Sequence, residues 1–431
     1  MPRDSGRDRC GPMSPLSRRS LLARAGGTAF ALSGAGAVLN ACGSSDEPSA
    51  TPAGKGEGIG GIPVATKASP VTLPLFDDNV AIKSGLKPEG GPLVILDWGD
   101  YLSPDVLSSF EAKYGVETKV SKYSTFQESL GKVTSGAVKA DVWVPVVERL
   151  PQLVAAKLIQ PLNQDYIPNL GNVLPALANP YYDQGSQYTI PNYIWTTGIL
   201  WRGDLLPDLD PASADNPWDV FWSTPEAKGK MGLQNAEVFD PLSLGFLRNG
   251  VTDFPAITKK QLDKAVADLQ QLTKAGTKFH YTAFQAVANG TEILSQAWNG
   301  DAFLAPGYLR KSAPADSIKF WFPEDGVGSV NSDYWCVPKN AEHPVLGHLF
   351  INHFLQGEMA LANYTGVGYQ QPLNDLTVDY LVKNGAGDEA LMDMVYVTPE
   401  AAENGLPNPT PTAEQLKWYE AAFATLSSGT S

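Results

Sequence analysis

Leu93-Val94-Ile95-Leu96-Asp97-Trp98-Gly99-Asp100-Tyr101 is the stretch on which the reading of this chain turns. Its four leading apolar residues predict a buried strand. Ser103-Pro104-Asp105 follows with the chemistry of a helix start: Ser at the N-cap, Pro at the first helical position and an acid in the first turn. A turn between a strand and a helix puts its side chains at the carboxyl edge of a sheet, where open α/β folds bind ligands. This turn offers one indole face and two carboxylates, a set suited to an organic cation. The same residues would also suit a surface turn whose Trp packs on its own body.

Strands and helices alternate from there. The helix from Ser103 places Val106, Leu107, Phe110 and Tyr114 on one face and stops at Gly115. Val116 to Val120 predicts a strand, and Ser124-Thr125-Phe126-Gln127-Glu128 opens a helix with capping-box spacing. Ala140 to Pro145 predicts a third strand, running into a helix through Leu150, Leu153 and Val154. The series argues for a mostly parallel sheet with helices on both faces. Thr196 to Trp201 predicts a strand long enough to pass between two lobes, and a second crossing is expected near Trp321-Phe322-Pro323. Thr258-x-x-Gln261 caps a helix closed by Gly276, Ile293 to Trp298 predicts a strand, and helices are expected over 344–359 and 412–426. There is no internal repeat.

The N-terminus gives an address. Ser17-Arg18-Arg19-Ser20-Leu21-Leu22 is a twin-arginine pattern, followed by a small-residue apolar run from Ala25 to Ala41. That run of 17 residues is short of the roughly 20 that span a bilayer, so residues 1–41 read as an export signal. Leu39-Asn40-Ala41-Cys42 resembles a bacterial lipobox, which makes Cys42 the lipidated first residue of the mature chain. Residues 42–91 are dense in Gly, Ser, Pro and Ala and are expected to be a flexible tether, with Val71 to Lys87 able to lie on the folded body. Gly56-Glu57-Gly58-Ile59-Gly60-Gly61 matches a dinucleotide fingerprint in letters only, lacking the strand before it and the helix after it.

Composition excludes other classes. Residues 1–41 hold six arginines and two aspartates, so the mature chain keeps 26 basic and 44 acidic residues and a net charge near −18. That balance disfavours nucleic acid and attracts cations. Cys10 leaves with the signal and Cys42 is lipidated, so Cys336 is a lone thiol. About 340 residues of folded chain is long for one core, so two lobes are expected. There is no G-x-S-x-G elbow, H-E-x-x-H or Walker loop. His343, His348 and His353 stand five apart, the wrong spacing for a zinc face, and read as ordinary helix residues. Glu237 and Asp240 stand three apart, as either a solvated acidic pair or an acid/base pair.

Taken in order, Asp97-Trp98-Gly99-Asp100-Tyr101, Thr196-Thr197-Gly198-Ile199, Trp298-Asn299-Gly300-Asp301-Ala302-Phe303 and Gly368-Tyr369 resemble the spermidine/putrescine-binding proteins of ABC importers. Asn216-Pro217-Trp218-Asp219-Val220-Phe221-Trp222 with Pro225 to Gly229 is similar to the same family, and the resemblance runs over roughly residues 93 to 385. It implies an α/β fold of the periplasmic-binding-protein type II class, with two lobes joined by a hinge and a ligand cleft between them. Residues 92–196 and 312–385 would form lobe 1, residues 197–311 lobe 2, and 386–431 a helical segment packed on the lobes.

Carried over by position, Trp98 and Trp298 would be aromatic walls with Tyr101 and Tyr369 beside them. Asp100, Asp301 and Asp333 would meet ammonium groups, and the family's acidic pair falls on Glu237 and Asp240. The chain departs from the family at Val146 and Glu148, where Ser and an aromatic are usual, and at Asn331, where an aromatic is usual. The family's C-terminal Gln has no match around Asn408. Glu148 then adds charge to one wall, which bears on which amine is bound. The expected partners are a polyamine, an ABC permease and ATPase, and a membrane held through the lipid. Location is expected at the outer face of the cytoplasmic membrane, as a monomer without cofactor, metal or catalysis. Alternatives left open are the same receptor role for an amino acid or other small amine, and an exported carbohydrate-active enzyme using Glu237 and Asp240.

Overall fold

The structure is a computed structural model that describes residues 58–99 and 101–428. The twin-arginine pattern, Cys42 and Asp100 lie outside the described residues. Eleven strands are described among these residues: β1 (Leu93–Trp98), β2 (Thr118–Tyr123), β3 (Val142–Trp143), β4 (Ile159–Gln160), β5 (Ile190–Arg202), β6 (Met231–Gln234), β7 (Lys278–His280), β8 (Leu294–Trp298), β9 (Ile318–Trp321), β10 (Ser329–Trp335) and β11 (Val337–Pro338).

β1 is the centre of a parallel sheet ordered β2-β1-β3. Leu93, Ile95 and Leu96 are fully buried in it, as befits a strand covered on both faces. The helix after β1 spans Pro104–Tyr114. Ser103 Oγ accepts from Asp105 N at its start, and Gly115 ends it in the left-handed region at φ 68°. At Thr125 the hydroxyl accepts from Glu128 N, while the Glu128 carboxylate reaches back to Ser124 N, so the cap is split over two residues. At Thr258 both halves of the capping box form.

The parallel arrangement expected from the alternating series holds for β1, β2 and β3, and the second sheet differs from it. Its order is β10-β5-β8-β6-β7, with β9 also on β5, and it is mixed: β6 runs parallel to β7 and β8, whereas β5 runs antiparallel to β8, β9 and β10. The 13 residues of β5 are long enough to pair with β10 over their first half and with β9 over their last, on one edge. Two large hydrophobic cores flank this strand. One gathers β1 and its helices with Trp143, Tyr193 and Trp335, and the other gathers Ile199, Leu233, Phe246, Leu269 and Tyr419.

Two further expectations change. The helix expected over 344–359 is two helices, Pro344–Phe354 and Gly357–Val367, because Gln356 takes an extended backbone (φ −80°, ψ 136°). The tether expected to reach residue 91 is already packed from residue 58 onward. Ile62, Val64, Ala65, Val71 and Leu73 are buried, and Val71 exchanges backbone hydrogen bonds with Tyr181 and Gln184. Its apolar residues are few, but Ile62 N, both backbone groups of Val71 and the carbonyl of Ala65 find partners inside. The three C-terminal histidines have local partners: His343 pairs with Asp141, His348 accepts from Asn163 N, and His353 lies edge-on to Phe110.

Candidate functional site

Strand ends and the turns after them converge on one cavity of about 620 Å³, within the range of about 300–1,000 Å³ common for ligand sites. β1 delivers Trp98 and Tyr101, the turn after β3 delivers Val146 and Glu148, and β8 ends at Trp298. Glu237 and Asp240 stand at the start of the helix Asp240–Arg248, and Tyr369 follows the helix Gly357–Val367. β10 contributes Asp333. Its pairing with β5 slips between Ser332 and Tyr334, and such an irregularity re-aims a side chain that regular pairing would place elsewhere.

Two glycines shape the aromatic wall. A Cβ on Gly300 would sit 2.5 Å from the Tyr369 ring, so the Asn-Gly step after Trp298 makes room for that ring. Gly368, at φ 78°, turns the chain from its helix into Tyr369. The rings then form a series: Trp98 stacks on Tyr281 (6.2 Å, 21°), Tyr281 meets Trp298 edge-on (5.8 Å, 81°), Trp298 meets Tyr369 (6.3 Å, 70°), and Tyr369 meets Tyr101 (4.8 Å, 45°).

Opposite in chemistry are Glu148, Glu237, Asp240 and Asp333, all on the cavity wall. Burial raises each carboxyl above its usual range, and repulsion by neighbouring carboxyls adds to it at Glu237, Asp240 and Asp333. Glu237 is pushed up to about 7 and Asp240 to about 8, while Asp333 goes well above its ordinary value with four carboxylates, including Asp97, facing it. Two groups offset this. The Arg149 guanidinium lies 3.5 Å from Glu237 Oε2, and the Asn408 side-chain amide serves both Glu148 and Asp240. Glu237 N donates to Asp240 Oδ2 at 2.7 Å, while Glu237 Oε1 has no hydrogen-bond partner among the described residues. Asp240 and Asp333 therefore tend to keep their protons near neutrality, and a bound polycation can take the place of those protons.

The residues expected from sequence thus meet here, except two. Asp100 is outside the described residues. Asp301, expected to face a ligand amine, is not on the cavity wall. Its Oδ2 accepts from Ala283 N at 3.0 Å, anchoring the turn that carries Tyr281, and burial raises its carboxyl to about 6. Spacing within Trp-Asn-Gly-Asp cannot tell which side of the turn the Asp serves. Sequence reasoning missed Tyr281, although an aromatic directly after a short strand was the available signal. It also missed Arg149, which one Arg beside Glu148 did not announce. Asn408, which looked unmatched, is on the wall, and its backbone N donates to Asn331 Oδ1 at 2.7 Å.

A family model described as bacterial extracellular solute-binding protein matches residues 105–379. The segments before and after that stretch, including residues 58–92 and 399–428, lie outside it. A putrescine-binding periplasmic protein of Pseudomonas aeruginosa is 27% identical over 346 residues, covering 76% of this chain and 90% of that protein. A spermidine/putrescine-binding periplasmic protein of Escherichia coli is 26% identical over 322 residues, covering 74% and 86%. Among solved structures, a spermidine/putrescine ABC transporter substrate-binding protein of Streptococcus pneumoniae superposes with a TM-score of 0.63 at 21% identity, covering 79% of this chain and 99% of the other. A lipoprotein of Treponema pallidum gives 0.64 at 20% identity, covering 78% and 98%. The fold is that of a type II periplasmic-binding protein.

Proposed function

We propose that this chain, which belongs to the bacterial extracellular solute-binding protein family, is the polyamine receptor of an ABC importer. The observation that carries the reading is the pairing, in one cavity, of a ring series (Trp98, Tyr281, Trp298, Tyr369, Tyr101) with four carboxyls (Glu148, Glu237, Asp240, Asp333). A linear polyamine has methylenes that favour flat apolar faces and ammonium groups that need carboxylates once desolvated. Burying an ammonium unpaired costs several kcal/mol, so acids at set positions select amines at set positions. In this reading residues 92–196 with 312–385 form one lobe and 197–311 the other, closing on the ligand and presenting it to a permease with its ATPase. The chain performs no chemistry on it.

A thermal-shift screen of the soluble chain against putrescine, spermidine, amino acids and sugars tests this. A ligand that binds only the native state adds about 2.7 kcal/mol at a hundredfold excess over Kd, a shift of a few degrees for a protein of this size. No shift at millimolar polyamine removes the polyamine reading. A shift with an amino acid alone moves the ligand to another small amine, and one with sugars alone favours an acid/base function for Glu237 and Asp240.

The anchoring belongs to the same proposal. Cys42 would carry a diacylglyceryl group whose two chains suffice for stable retention, after export through the twin-arginine signal at Arg18-Arg19. Cys42→Ser is expected to move the protein from the membrane fraction to the soluble fraction. Equal membrane retention of the Ser variant would exclude lipidation at this position.

A further inference from the structure

The segment ahead of β1 reaches the cavity at the tip of a turn. Thr66 and Ser69 exchange backbone hydrogen bonds at 3.2 and 3.0 Å, and Lys67 lies between them. Its ammonium donates to the carbonyl oxygens of Glu403 and of Gly405, the latter at 2.8 Å. Next to it, Thr410 Oγ1 donates to Ala65 O at 3.3 Å. The base of the turn is fastened to another stretch that lines the cavity, where Val71 N donates to Tyr181 O (2.8 Å) and Gln184 N to Val71 O (2.9 Å). Lys67, Pro70, Tyr181, Gly405 and Asn408 all line the cavity. The two segments that meet at Lys67 both lie outside residues 105–379, the stretch that the family model matches.

Residues 405–411 form neither helix nor strand beyond one bridge at Leu406. There Leu406 N donates to Gly328 O and Val330 N donates to Leu406 O, and further on Asn408 N donates to Asn331 Oδ1. Backbone carbonyls in such a stretch need donors, and an ammonium brings three in one charged group. Beside the bonds that Leu406 makes to Gly328 and Val330, Lys67 takes two carbonyls that are two residues apart and so ties the end of the helix Pro399–Asn404 to the chain leaving Gly405. Three residues further on is Asn408, whose amide serves Glu148 and Asp240.

We propose that Lys67 is a positioning residue of the ligand site: presented by the N-terminal turn, its ammonium holds residues 403–408 in the course that places the Asn408 amide against Glu148 and Asp240. The turn is then part of the receptor's binding apparatus and not only a link to the membrane. The ligand half of the test rests on the polyamine reading, and the other half is independent of it.

The experiment compares the full chain with its Lys67→Ala, Lys67→Arg and Asn408→Ala variants. Without ligand, amide hydrogen exchange at Leu406 and Asn408 is expected to speed up at least about tenfold in Lys67→Ala, as local opening becomes easier, and to return to near the parent rate in Lys67→Arg. With putrescine, Lys67→Ala is expected to raise Kd about tenfold, the scale of one lost hydrogen bond. It should add nothing in an Asn408→Ala background, since residues acting through one another are not additive. Parent-like exchange in Lys67→Ala overturns the proposal. So does a Kd effect that adds in full to that of Asn408→Ala, because Lys67 would then be acting by another route. If putrescine fails to bind the parent, the polyamine reading falls, and the exchange rates still decide whether Lys67 holds the segment.

Discussion

Asp333→Asn is expected to weaken polyamine binding by about 3–5 kcal/mol, the cost of leaving one partner of a buried ion pair unmatched. It is also expected to stabilise the empty protein at neutral and alkaline pH. The residue is 9% exposed and faces Glu148, Asp97, Asp240 and Glu237, so its ionised form is costly until a cation arrives. The amide keeps the shape and removes that cost. Trp298→Ala shows the contrasting pattern. Loss of a desolvated cation–π face is worth about 2 kcal/mol of binding, but the ring is buried between Tyr281 and Tyr369, so the cavity left behind costs about 3–5 kcal/mol of fold stability. Calorimetric affinity beside the unliganded Tm of each variant separates the two. If Asp333→Asn bound polyamine as tightly as the parent, Asp333 would be a structural residue of an irregular strand. If it also failed to raise the Tm, the carboxyl would not be strained in the empty state.

The second large effect is with pH. Unfolded, the carboxyls of Glu237 and Asp240 titrate in the usual range of about 4; in the empty folded chain burial holds them at about 7 and about 8. Between those limits the folded state keeps protons that the unfolded state has lost. Stability of the empty protein is therefore expected to be greatest near the lower limit and to fall as pH rises through 7 and 8, by about 1.4 kcal/mol per pH unit for each proton so held. Binding runs the other way. A ligand ammonium beside a carboxyl favours its ionised form, so binding releases protons and tightens as pH rises from 6 to 8, about tenfold per pH unit for each proton released. Aliphatic amines stay charged throughout this window, with pKa values of about 10. Arg149, already paired with Glu237, lessens the effect there and leaves Asp240 as the larger contributor. Calorimetry in buffers of different ionisation enthalpy counts the protons. A pH-independent affinity with no proton release would mean that the carboxyls are ionised before ligand arrives.

Local sequence determined the local structure of this protein wherever the physics is local. Ser103-Pro104-Asp105 starts a helix because its side chains satisfy the first free amides, and Gly115 ends it because no side chain hinders the left-handed turn. The apolar run at Leu93 became the buried centre of a parallel sheet for the same kind of reason, a strand with no polar face needing cover on both sides. The placing of Trp98, Trp298 and Tyr369 on a common cavity followed from ordered motifs that resemble a family, since each of these residues sits at a strand end or just after a helix end. Asp333, by contrast, is aimed there by the irregular pairing of β10 with β5. What tertiary structure alone decided are the relations between distant segments. Asp301 turned inward because Ala283 N needed an acceptor, a pairing no spacing reveals. The sheet built on β5 became mixed because one long strand serves two antiparallel partners along the same edge. Asn408 reached Glu148, and Lys67 reached the carbonyls of Glu403 and Gly405, across more than 250 residues of chain. Such contacts depend on where two segments end up in space, and the residues of either segment alone carry no record of it.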